Sequence, residues 1–108
     1  MQDSLTTAET ATLLQKNWGL EPSGANSWEA LHAALCIRLQ EMLGEDFAGL
    51  VNAMYRLDVP ETQFRAALNA PDPGLIASQL ADAILDRELM RAKTRLHYRQ
   101  VPANENPG

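Results

Sequence analysis

The chain has 108 residues, 45% hydrophobic and 21% charged, with a single cysteine, Cys36. One domain fits that length, and the composition excludes a disordered polymer and an internally disulfide-bonded scaffold. The net charge of −5 is unevenly spread: residues 1–86 carry 4 Lys/Arg against 12 Asp/Glu, whereas residues 87–99 carry 5 against 1.

Ala and Leu dominate the apolar set, which favours helix because neither loses much side-chain freedom there. No β-rich alternating run is present. Thr6 with Glu9 has capping-box spacing and predicts a short helix carrying Leu13, Leu14 and Trp18, ended by Gly19. "GLEPSGANS" reads as a loop. Asn26 with Glu29, or Ser27 alone, caps a second helix bearing Leu31, Leu35, Leu39 and Met42 up to Gly44. Glu45 and Asp46 suit the start of a third, with Phe47, Leu50, Val51 and Met54 as its stripe.

Next comes "YRLDVPETQFRAAL", a helix end, a break and a second short helix. Asp58 is expected to cap that helix, with Pro60 in its first turn and Phe64, Ala67 and Leu68 facing inward. The pattern suggests a DNA-reading helix-turn-helix, but residues 44–72 hold 2 bases and 5 acids. A surface of that sign repels phosphates, so an antiparallel helix pair is the better reading.

Asp72–Pro73 starts a final helix expected to run from Pro73 to near Tyr98. Its first half presents Ile76, Leu80, Ala83 and Ile84, while Leu85, Leu89, Ala92 and Leu96 form a second stripe nearly opposite. A rod of roughly 38 Å exceeds the diameter expected of a 100-residue domain, about 34 Å. Something must cover the second stripe: the N-terminal helix folded back, or a second chain forming a homodimer seam.

The same helix carries Arg87, Arg91, Arg95 and Arg99 at every fourth position. This basic ladder could follow nucleic-acid phosphates or an acidic protein surface. It could equally complement helix C-termini or pair with the chain's own acids, such as Glu41, Glu45 and Asp46.

"EALH" (Glu29 to His32) has the Glu-x-x-His spacing of di-metal bundles, but such sites need it twice, and Thr94 precedes His97 instead of Glu. His32 and Cys36 make half a zinc site. Asp82 and Asp86 read as a solvated face, and Trp18 and Trp28 as packing anchors at the core's edge. No glycine-rich phosphate loop or Ser/His/Asp pattern is visible, so neither a catalytic residue nor a metal or other cofactor is expected.

"NAMYRLDVPE" and "AILDRELMRAKTR" resemble segments of short, all-helical bacterial proteins without an assigned function, over about residues 47–95. The resemblance implies a helical fold and no catalytic residues.

The expectation is an all-α single domain over residues 1–99: four main helices plus a short N-terminal one, with residues 1–26 more loosely attached and 100–108 a disordered tail. Leu31, Leu35, Phe47, Leu50, Met54, Phe64, Leu68, Ile76, Leu80 and Ile84 should form its core. Its expected role is a non-enzymatic protein–protein interaction module, self-associating as a homo-oligomer through Leu85, Leu89, Ala92 and Leu96, or meeting an acidic protein partner. Nucleic-acid binding through the arginine ladder is the alternative. "MQDSLTTAET" lacks the basic and apolar regions of a secretory signal, and no apolar run approaches the roughly 20 residues of a membrane span. The cytoplasm is the expected compartment, with no membrane partner.

Overall fold

Five α-helices account for most of the described residues, 4–20 and 27–100 of the computed structural model. They are α1 (Ser4–Trp18), α2 (Trp28–Glu45), α3 (Phe47–Arg56), α4 (Glu61–Leu68) and α5 (Pro73–Gln100), and no strand occurs among these residues. The expected all-α bundle with a long last helix is what the chain builds. The tail beyond Gln100 lies outside the described residues.

The starts follow local chemistry. Ser27 caps α2 by accepting from the Ala30 amide at 3.1 Å. Asp46 closes α2 and opens α3, accepting from the Gly49 amide at 3.0 Å. A Cβ at residue 49 would collide with that carboxylate, so glycine suits the cap. Asp72 accepts from the Leu75 amide at 2.9 Å and opens α5. Gly19 ends α1 at φ +68°, its amide donating to the Gln15 carbonyl.

Two expected caps are corrected. Thr6 and Glu9 lie inside α1, which is already helical at Ser4, and the Glu9 carboxylate is buried against arginines of α5 instead of reaching back to a helix start. Asp58 belongs to the end of α3, not the start of α4. It sits at φ 61°, its amide donates to the Tyr55 carbonyl, and the Val59 amide donates to Met54. That is a Schellman turn, and the buried pair Met54 and Val59 supplies its usual apolar contact. Pro60 occupies the α4 cap position with no side-chain bond.

The core gathers Leu31, Leu35 and Leu39 of α2, Leu50, Ala53 and Met54 of α3, Ala67 of α4, and Ala77, Leu80, Ala81 and Ile84 of α5. Phe64, Leu68 and Ile76 pack against it half-buried. Phe47 does not join; at the first turn of α3, beside the corner where α2 ends, it remains 45% exposed. Gly44 lies within α2, which continues to Glu45.

At 28 residues, α5 is about 42 Å long. The molecule accommodates it by being elongated, 51 × 30 × 23 Å, with a radius of gyration of 15.1 Å. α2 and α4 pack on α5, and α1 runs antiparallel along its second half: Asn17 and Trp18 meet Glu88, while Glu9 meets Arg95 and Arg99. Leu85, Ala92 and Leu96 are thereby buried and Leu89 half-buried within one chain. The second stripe lies along the seam with the chain's own first helix, one of the two coverings expected of it.

Candidate binding site at the α1–α5 seam

Each arginine of the ladder has an internal partner. The Arg87 Nε donates to the Leu57 carbonyl at 3.1 Å, and the Arg91 Nη2 donates to the Arg56 carbonyl at 2.7 Å. These carbonyls close α3, where the helix dipole is negative and acceptors lack intrahelical partners. Arg95 Nε lies 3.0 Å from one Glu9 oxygen and Arg99 Nη1 2.7 Å from the other. Glu9, buried at the centre of that fork, replaces the expected Glu41, Glu45 and Asp46 as the acid that holds the ladder. Glu41 pairs with Arg38 instead.

Arg91, Arg95 and Arg99 nevertheless remain exposed and Arg87 half-buried. A groove of about 450 Å³ runs between α1 and the second half of α5, with Leu13 and Met90 among its apolar lining and Lys16, Arg87, Arg91 and Arg95 as its cations. Met90 is 57% exposed. A deeper cavity of about 250 Å³ adjoins it, sharing Lys16, Asn17 and Arg91 and adding Trp18, Arg56 and Glu88.

Glu88 is fully buried. Its Oε2 accepts from Asn17 Nδ2 at 3.0 Å and from Trp18 Nε1 at 3.2 Å, while Oε1 meets no donor among the described residues. Trp18 is fixed from both ends, since its carbonyl also accepts from Arg38 Nε at 3.1 Å. In the sequence Glu88 enters only the charge count and the resemblance carried by "AILDRELMRAKTR". Its one visible signal is its position, between Leu85 and Leu89 on the side of α5 that carries the second stripe.

On the other side of the bundle, His32 Nε2 lies 3.0 Å from Asp82 Oδ1, and Cys36 Sγ lies 3.6 Å from His32 Nδ1. The line ties α2 to α5. Burial first, and then the Asp82 charge, push the Cys36 thiol above its ordinary range, which favours the thiol over the thiolate. Glu29 does not join the pair, and no group of three His, Cys, Asp or Glu placed to hold a metal occurs among the described residues. Asp82 therefore serves as the partner of His32 and not as half of a pair with Asp86.

Of the α4 residues turned to solvent, Arg65 is held by Glu61 one turn away. No helix among the described residues is long and apolar enough to cross a membrane. Comparisons with protein-family models, with curated proteins and with solved structures return no match for the chain.

Proposed function

We propose that the protein is a non-enzymatic interaction module that docks an acidic segment of a partner protein in the groove between α1 and the second half of α5. The observation that carries this reading is the clustering of Lys16, Arg87, Arg91 and Arg95 around an apolar lining, in a chain whose first 86 residues are strongly acidic. An acidic segment with an apolar residue complements both parts, and the charge contrast steers it to this face. Self-association through Leu85, Leu89, Ala92 and Leu96 would require α1 to leave. Light scattering at high micromolar concentration is therefore expected to show a monomer.

Nucleic acid is the weaker occupant for an electrostatic reason. Binding to a phosphate backbone draws on several free cations, and Glu9 already neutralises part of the ladder at Arg95 and Arg99. Fluorescence anisotropy with a labelled Glu- and Leu-containing peptide, beside a single-stranded DNA oligomer of equal charge, separates the two. Peptide binding that weakens with salt and with Lys16→Gln/Arg91→Gln is expected. Tighter binding of the oligomer, or no peptide binding at low salt, sinks the proposal.

A further inference from the structure

We infer that the cavity between the end of α1, the end of α3 and α5 is a binding site for a free acidic amino acid, with Glu88 receiving its ammonium group and Lys16, Arg56 and Arg91 its carboxylates. The inference shares Lys16 and Arg91 with the acidic-segment reading and is told from it by Glu88 and Arg56, which line the cavity and not the outer groove.

Two observations meet here. A buried carboxylate oxygen without a donor is costly, since desolvation is not offset by a hydrogen bond, and such a group asks for a cationic donor. Among the side chains around the same space are three cations, and Arg56 and Arg91 are solvent-exposed. Glu88 can meet one ammonium and the three cations two carboxylates, which leaves one positive charge over, the smallest excess for a ligand that also answers Glu88. A monocarboxylic amino acid would leave the rim with a larger excess of positive charge, and a simple dicarboxylate would leave Glu88 unanswered.

Size agrees with that composition. About 250 Å³ is the liquid volume of roughly eight waters, below the roughly 300–1,000 Å³ of pockets for drug-sized ligands. Aspartate and glutamate fall in this range. Oε1 is shielded in the rotamer observed, so receiving an ammonium requires the carboxylate to turn about its broad terminal torsion and to exchange its bonds to Asn17 and Trp18. Arg91 keeps donors to spare, because among the described residues its Nη2 alone donates, to the Arg56 carbonyl.

Trp18 offers a reporter, since its indole N–H donates to the same carboxylate. In Trp28→Phe protein, titration with L-glutamate and L-aspartate should change Trp18 emission saturably. Glutarate and succinate, which lack the ammonium group, should bind roughly tenfold or more weakly, the fold-change expected for a lost charge-assisted hydrogen bond. Glu88→Gln should weaken L-glutamate by at least as much while leaving acidic-peptide binding in the groove intact. Should that variant lose its helical circular dichroism, Arg56→Gln on the rim carries the test, again with roughly tenfold weakening expected. No saturable response to either amino acid overturns the assignment, as does an equal response to glutarate or unchanged affinity in the variant that folds.

Discussion

The two halves of α5 are packed by different chemistry. The first half lies against α2 and α4 through Ala77, Leu80, Ala81 and Ile84, all fully buried. The second half lies against α1. There the chain collects its buried polar residues among those described: Thr6, Thr7, Glu9 and Thr10 on α1, and Glu88 on α5. Apolar burial is cohesive and indifferent to direction, whereas a polar seam holds only while each donor and acceptor keeps its partner. One helix thus packs on a purely apolar core at one end and, at the other, on a seam where α1 adds Ala11, Leu14 and Trp18 to that core beside its buried polar groups. Local opening is expected to begin at α1.

The comparison can be broken most forcefully from the core side. Leu80→Ala should cost about 2–5 kcal/mol and lower the melting temperature of the whole molecule in one transition. Glu9→Ala should cost less, about 1–3 kcal/mol, because the two arginines it releases can be hydrated. Its effect should be local: hydrogen exchange should accelerate across α1 while the amides of Leu35 and Leu39 stay protected. Uniform acceleration in both helices would show one cooperative unit instead of two.

Two smaller effects sharpen the picture. Asp72→Ala removes the cap at the core end of α5 and should cost about 1 kcal/mol in denaturant unfolding. At Cys36 the burial and the Asp82 charge both raise the thiol pKa, so alkylation by iodoacetamide at neutral pH should be slower than for a free cysteine. The rate should climb only as pH rises through the raised pKa, and Asp82→Asn should speed it a few-fold at neutral pH by removing the secondary cause. An unchanged rate in that variant would mean the Asp82 charge is not felt at the sulfur.

Much of the fold was legible because it rests on local rules. Ser27, Asp46, Asp72 and Gly19 announce helix ends through hydrogen bonds that span only three or four residues. Asp58 was misread because the same aspartate suits a helix start and a left-handed turn. Only the contact between Met54 and Val59 decides between them. The site was hardly legible at all. Glu88 is one acid in a basic run, and its partners lie some 70 positions away in the chain.

What the sequence by itself determined is the set of helices, the caps at Ser27, Asp46, Asp72 and Gly19, and the fact that the last helix turns its apolar side around midway. Periodicity and capping are properties of neighbouring residues, so they survive without knowledge of the fold. Only the tertiary structure decided that α1 lies along the second stripe, that Glu9 anchors Arg95 and Arg99, and that Glu88 is buried beside a cavity lined by Lys16, Arg56 and Arg91. Those outcomes depend on which distant surfaces meet, and charge and burial acquire their energies only after that meeting has fixed distance and solvent access.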